Sequence, residues 1–370
     1  MMPCRKYLLI LGLILLTLGG CISSPTPGRI PKVTVVLPTA TATFTPVPPT
    51  STPTPAPIPT STPTSPAFTP TPTLTPSPTP KPAISVPKGR IAFPVFDQTR
   101  QTYDIYIANA DGSGRQKLIE QASQPDFNSD GTQIAYRSWN NTRRGILAQV
   151  IGGNWWNIQG SRWHAEAARP SWSPDDQTFV FHSREDPDRL PRLYITEGLN
   201  YRVIMSDLGG IYGPVFGEYP SWLPDGTIVY AARQCRECGL YIITPNGQLV
   251  RRLTTDASDA APEASPDGKM VAFMSRRDGN WEIYVVKSDG SDLRRLTDNP
   301  AIDGLPTWSP DGRYIAFVSD RGGEWAVWAI RPDGSGLKRL FPIGGSMDGI
   351  VATDRENSRG WAEERITWTR

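Results

Sequence analysis

Two aspartates hold the same place in two similar stretches: Asp259 and Asp303 stand three residues before Pro262 and Pro306. Arg184, Arg276 and Arg321 recur after short apolar runs. Carboxylates and guanidinium groups alternating around one opening suit a small charged ligand or a peptide segment. The same groups serve equally well to satisfy loop backbone and one another. A second cluster holds Trp139, Trp155-Trp156, Trp163-His164 and Glu166. Exposed aromatic rings stack on sugars or anchor a protein partner. Trp155 and Trp156 are expected to pack a loop onto the rim, leaving Trp139 and Trp163 as the contacts. Catalytic signals are weak. Gly344-Gly345-Ser346-Met347-Asp348-Gly349 misses a Gly-x-Ser-x-Gly elbow by one position. Two histidines in the whole chain, with no ligand spacing, support no metal and no cofactor.

These residues sit in a chain that repeats itself. PDFNSDGTQIAY (125–136), PSWSPDDQTFVF (170–181), PSWLPDGTIVY (220–230), PEASPDGKMVAF (262–273) and PTWSPDGRYIAF (306–317) share an Asp at 130, 175, 225, 267 and 311. A spacing of about 42–50 residues with turn signals at fixed offsets is the mark of a β-propeller, an all-β ring of repeated sheets.

One blade can be read from 305–340. Leu305 to Ser309 forms strand A, followed by a Pro310-Asp311-Gly312 turn in which Pro presets φ and Gly accepts a positive one. Tyr314 to Val318 is strand B, apolar throughout because neighbouring blades cover both faces. Glu324 to Ile330 is strand C, Pro332 to Ser335 a second turn, and Leu337 to Leu340 strand D. Gly89 to Phe93, Asp104 to Ala108 and Gln116 to Ile119 supply B, C and D of a first blade without an A strand. Ile366-Thr367-Trp368-Thr369 is a strand A without a blade. Joining them predicts six four-stranded antiparallel blades, the last strand closing the ring; a seventh requires further strands within 341–370. Trp172, Trp222 and Trp308 on the A strands are expected in the inter-blade core. Arginine pairs such as Arg294-Arg295 on the outer strands blunt exposed edges.

The pairing of xWSPDGxxIAF with an EIYV-type strand, a DGS turn and RLT, complete in 261–297, resembles the TolB-like repeat, a WD-like propeller repeat found in many envelope proteins. The resemblance covers 88–370. It implies that Asp259 and Asp303 lie near the channel mouth and that this mouth accepts protein segments. The variable stretches, 97–103, 138–144, 183–192 and 233–239 between strands B and C and 159–168, 205–218 and 341–364 between blades, project from one end, the expected working face. A Pro/Thr-rich stretch stands where TolB itself has an α/β domain.

The N-terminal residues read as an export signal (1–20): Arg5 and Lys6, then an apolar run from Tyr7 to Leu18, too short to span a membrane comfortably. Leu18-Gly19-Gly20-Cys21 resembles a bacterial lipobox, which implies lipidation of Cys21. Within 25–87, 20 of 63 residues are Pro and 17 are Thr. Such a segment cannot offset its ordering entropy by burial, so 21–87 is expected to be a disordered stalk. In an exported protein Cys235 and Cys238 are expected to form a small loop disulfide. A formal net charge of +2, with no long basic run, marks no nucleic-acid binder.

The expectation is a monomeric, lipid-anchored envelope protein that binds a protein, a peptide or a cell-wall glycan without catalysis. The alternatives are a propeller enzyme, a polysaccharide lyase, glycosidase or peptidase relative, and a structural adaptor. A convergent carboxylate pair with a perturbed pKa at the mouth points to the enzyme. A mouth ringed by Arg and aromatic residues points to the binder.

Overall fold

Strand A in five repeats carries a kink that its sequence hides. The residue before the shared proline takes a left-handed backbone in each: Gln124 (φ 55), Arg169 (φ 51), Tyr219 (φ 55), Ala261 (φ 48) and Leu305 (φ 54). Each coincides with a register shift against strand B. Such bulges re-aim side chains, and non-glycine residues at positive φ cost on the order of 1–3 kcal/mol each. The same strained feature thus recurs on the innermost strand of five successive blades.

The computed structural model describes residues 88–158, 164–198, 200–207, 212–233, 238–351 and 360–370; they fall within the compact unit 77–370. They form six four-stranded antiparallel sheets around that axis. Blade 1 comprises Thr367–Thr369, Arg90–Asp97, Thr102–Asn109 and Gln116–Ile119, from inner to outer strand. Blade 2 follows with inner strand Ala122–Phe127, blade 3 with Ala168–Trp172 and blade 4 with Gly217–Trp222. Blades 5 and 6 begin at Ala260–Ala264 and Asp303–Trp308. Six blades and closure by the C-terminal strand agree with the sequence. A two-stranded hairpin, Met205–Ser206 with Gly213–Pro214, is an addition hidden in what reads as a connection.

Closure is tight. Arg90 pairs with Thr369, Ile91 with Trp368 and Ala92 with Thr367. Gly89, at φ +108, passes so close that a Cβ would stand 2.2 Å from the Thr369 carbonyl oxygen. Pairing this strand removes the free edge of an open array.

The A–B turns explain the repeated phrase. In blade 6 the Ser309 hydroxyl donates to Asp311 at 2.7 Å and accepts from the Tyr314 N–H at 2.9 Å, while Gly312 takes φ +68. Blade 5 repeats this with Ser265, Asp267 and Gly268. Between the turns the B strands are buried on both faces: Val271 to Met274 and Ile315 to Val318 have no exposure. Each Val, Ile, Phe or Met among them contributes about 1.5–3 kcal/mol, which holds blade against blade.

Candidate functional site

Asp259 is fully buried. Its carboxylate accepts from Arg277 Nη2 at 2.6 Å and from the Thr254 hydroxyl. Asp303 is equally buried, accepting from Arg321 and from Asn299 Nδ2 at 2.7 Å. Arg277 stacks over Phe273 and Tyr284, and Arg321 over Phe317 and Trp328. The arginine equivalent to Arg321 is therefore Arg277, one residue beyond Arg276. Both pairs rivet the start of strand A to its own B–C loop. Arg276 instead lies exposed over the Trp281 ring at 5.0 Å.

In blade 4 the acid is Glu218, bound by Arg184 and by Arg233 Nε at 2.8 Å. Burial opposes its ionisation, but Arg184, His182 and Arg233 outweigh it and hold Glu218 down to about 2. Arg184 also approaches Glu363 at 3.8 Å.

The blade 2 cluster is mostly internal. Trp139 is buried; it donates from Nε1 to the Ser123 hydroxyl at 2.9 Å and lies under Arg137 at 4.2 Å. Glu166 is buried beside Arg137 and Arg144, at 3.6 and 3.8 Å. His164 makes edge contacts with Tyr194 and Tyr201. Trp155 and Trp156 are the more exposed pair, at 44% and 36%, with Arg143 of the B–C loop stacked over the Trp155 ring at 4.8 Å. Their outer strand is only three residues long, so no neighbouring strand covers them. Trp163, Cys21 and Cys235 lie outside the described residues. Cys238 is half-buried, its carbonyl accepting from Arg252 at 2.9 Å.

The loop-rich end of the channel is stoppered by the chain itself. Trp361–Glu363 forms one 3-10 turn ahead of the closing strand. Trp361 packs against Trp281 and Trp325, with ring centroids 6.2 and 5.5 Å away. Gly304 makes room for it, since a Cβ there would stand 2.7 Å from the indole. The kinked residues grip the same segment: Gln124 Nε2 donates to the Glu363 carbonyl at 3.0 Å and Arg169 to the Glu364 carbonyl at 2.6 Å. The Glu364 carboxylate is fully buried. Burial pushes it up to about 8, against the pull of Ser123, Arg137 and Arg169.

Below the stopper, the inner strands set one side chain each into a polar ring: Asp126, Ser171, Ser221, Glu263, Thr307 and Thr367. Arg365 enters this ring. Its Nη2 donates to Glu263 at 3.1 and 3.0 Å and pairs with Asp126 at 2.9 Å; Nη1 donates to the Pro170 carbonyl at 3.0 Å. Burial and Glu263 push Asp126 up to about 7, with Arg365 pulling the other way. The ring floors a cavity of about 380 Å³ that opens between the A–B turns, the end opposite the expected mouth. A convergent carboxylate pair thus exists, at the other end and already engaged by a guanidinium.

None of this machinery is visible as a motif. The signal available for Arg365 is its position directly before the unpaired strand Ile366–Thr369, which aligns it with the kinked residue of the other blades.

Residues 256–356 match the TolB beta propeller domain family. The chain is 31% identical over 240 residues to the Tol-Pal system protein TolB of Francisella tularensis subsp. mediasiatica, a match over 51% of this chain and 55% of that protein. It thus spans about half the length of that relative. The TolB structure from Acinetobacter baumannii is similar at TM-score 0.58 and 20% identity, over 76% of this chain and 66% of the other. Kuenenia stuttgartiensis hydrazine synthase shares the fold at TM-score 0.55 and 12% identity, over 76% of this chain and 46% of that one. Propellers of this shape therefore occur in an enzyme as well as in TolB. With six closed blades, the repeated Pro-Asp-Gly turns and these matches, the chain's propeller is TolB-like, with the family match itself spanning residues 256–356.

Proposed function

We propose that this protein is a lipid-anchored bacterial envelope protein that binds a protein partner, without catalysis, through the loop-rich face of its propeller. The carrying observation is the half-exposed cluster of Trp281, Trp325 and Trp361 on that face, flanked by exposed Arg276. Tryptophan and arginine dominate binding hot spots, because large rings bury much area at small entropic cost. The stopper supports the reading by offering a firm, shaped surface in place of an open hole. The relatives named TolB, one of them a Tol-Pal system protein, support a protein as the partner class. Glycan binding is the alternative ligand for the same tryptophans.

The rival reading is a propeller enzyme acting on polysaccharide or peptide. The raised Asp126 carboxyl beside Glu263 speaks for it. Against it, a general acid–base pair needs access to substrate, and here Arg365 binds both carboxylates.

The test is a pull-down from crosslinked envelopes with wild type and an Arg276→Ala/Trp281→Ala variant. Asp259 and Asp303 are unsuitable targets, since their loss unfastens blades. A protein held by wild type and lost by the variant supports the reading; a glycan lost in the same way changes the partner class. Identical captures by both proteins overturn it.

A further inference from the structure

The polar cavity between the A–B turns is a second site, separate from the loop-rich face. We propose that it binds a small ligand through an alkylammonium group, seated against Glu263.

Charge is the first reason. The floor sets two carboxylates, Asp126 and Glu263, against one guanidinium, Arg365. At the rim, Arg370 and Asp176 offset each other, and Asp176 is already bound to the Ser129 N–H and hydroxyl. One negative charge at the floor is left without a counter-ion. Glu263 is its accessible carrier: its side chain is 18% exposed, against 9% for Asp126 and 4% for Arg365. Burial is the main reason the Asp126 carboxyl is raised, and the neighbouring Glu263 carboxylate adds to it against the pull of Arg365.

Shape is the second. The residue after each ring member also lines the cavity: Phe127, Trp172, Trp222, Ala264, Trp308 and Trp368. Five are aromatic and one is alanine, and the alanine directly follows Glu263. The gap in the aromatic wall therefore opens beside Glu263, the more accessible of the two carboxylates that share Arg365. Carboxylate and aromatic rings together form the environment that favours an ammonium ion. The volume of about 380 Å³ suits a ligand of sugar or amino-acid size.

Unused donors are the third. Trp308 donates its indole N–H to the Glu263 carbonyl at 2.9 Å and Trp368 to the Lys88 carbonyl at 3.1 Å. Among the described residues the equivalent N–H groups of Trp172 and Trp222 are buried and have no acceptor. A buried donor without a partner costs about 1–3 kcal/mol, which a ligand acceptor relieves only if the indole turns its N–H toward the cavity. A lysine side chain with its peptide carbonyls and an amino sugar with its hydroxyls both carry this combination.

The test is calorimetric titration of the full-length protein at pH 7, where both amines are largely protonated, with Nα-acetyl-lysine methylamide and with glucosamine. Their neutral counterparts, the Nε-acetylated lysine compound and N-acetylglucosamine, serve as controls. The expected result is binding about ten-fold or more tighter for an ammonium form than for its neutral counterpart. That preference disappears in Glu263→Gln. Binding itself disappears in Ala264→Trp, which keeps every charge and fills the gap; this variant decides the matter if Glu263→Gln fails to fold. Preference for the lysine compound identifies a peptide source, and preference for glucosamine an amino-sugar source. Equal binding of charged and neutral forms, no binding by folded wild type, or unchanged binding in Ala264→Trp overturns the proposal.

Discussion

Arg365 donates to both carboxylate oxygens of Glu263, at 3.1 and 3.0 Å, joining the segment that closes the ring to a blade 102 residues earlier in the chain. The same guanidinium reaches Asp126, so blades 2 and 5 are tied through the axis by a residue belonging to neither. Replacing Arg365 by Met leaves two carboxylates buried and unpaired, a loss of the kind that costs about 3–5 kcal/mol. Urea unfolding of Arg365→Met is expected to show this loss, and Arg365→Met/Glu263→Gln to recover part of it. A loss below about 1 kcal/mol for the single variant would mean that the axial cluster does not hold the ring.

Stability should fall as pH rises through neutrality. Glu364 and Asp126 have folded values raised to about 8 and about 7, from ordinary values of 4.5 and 3.8. The folded state binds these protons more tightly than the unfolded state, so each contribution is fully present below the ordinary value. It is lost as pH climbs through the folded value. Glu218 has the opposite sign: held down to about 2, it favours the fold above about pH 4.5 and is lost in acid. The melting temperature of wild type is expected to decline from pH 5.5 to 8.5, and that of Glu364→Gln to decline less. Parallel curves would show that Glu364 does not titrate in this range.

Ring closure depends on one close approach. Gly89 and Gly279 both take positive φ, +108 and +117, but only Gly89 has an atom in the path of a Cβ. Gly279→Ala should cost about 1 kcal/mol from backbone strain alone. Gly89→Ala meets the Thr369 carbonyl as well and should cost clearly more, with new amide exchange at Ile91 and Trp368. Equal losses would place the closing strand elsewhere.

The anchor is tested outside the propeller. Cys21→Ser removes the only thiol of the Leu-Gly-Gly-Cys sequence. Fractionation should then find the protein released from membranes, whereas retention would show that another segment holds it.

Blade number and closure are legible in the chain because the five repeated A–B turns share an Asp followed by a residue at positive φ, Gly in four and Asp176 in blade 3, with a hydroxyl or amide cap in all but the Leu223 turn of blade 4. Asp311 and Gly312 carry that pattern within a few residues, so it survives as a written phrase. The stopper is not legible. Trp361 meets Trp281 and Trp325 only after the ring has closed, and no periodicity brings those three together. The kinks at Gln124, Arg169 and Tyr219 share a conformation but no side-chain type. The acid–arginine rivets fall between these cases. Asp259 and Asp303 mark themselves by their spacing from proline, but adjacent Arg276 and Arg277 cannot be told apart until one is seen to turn inward. Burial also separates Trp139 from Trp155: the sequence reading makes the first a contact and the second a packing residue, and only packing shows that Trp139 is the covered ring.

Site-specific photocrosslinking in intact envelopes tests the central claim, that the partner meets the loop-rich face, most directly. A photoreactive residue placed at Gly279 or Gly323, beside the tryptophan cluster, is compared with one at Lys269 or Arg313 on the A–B turns. The account predicts a discrete protein adduct from the first pair and none from the second. Adducts from the A–B turns alone would contradict it and move the protein-binding face to the opposite end of the channel.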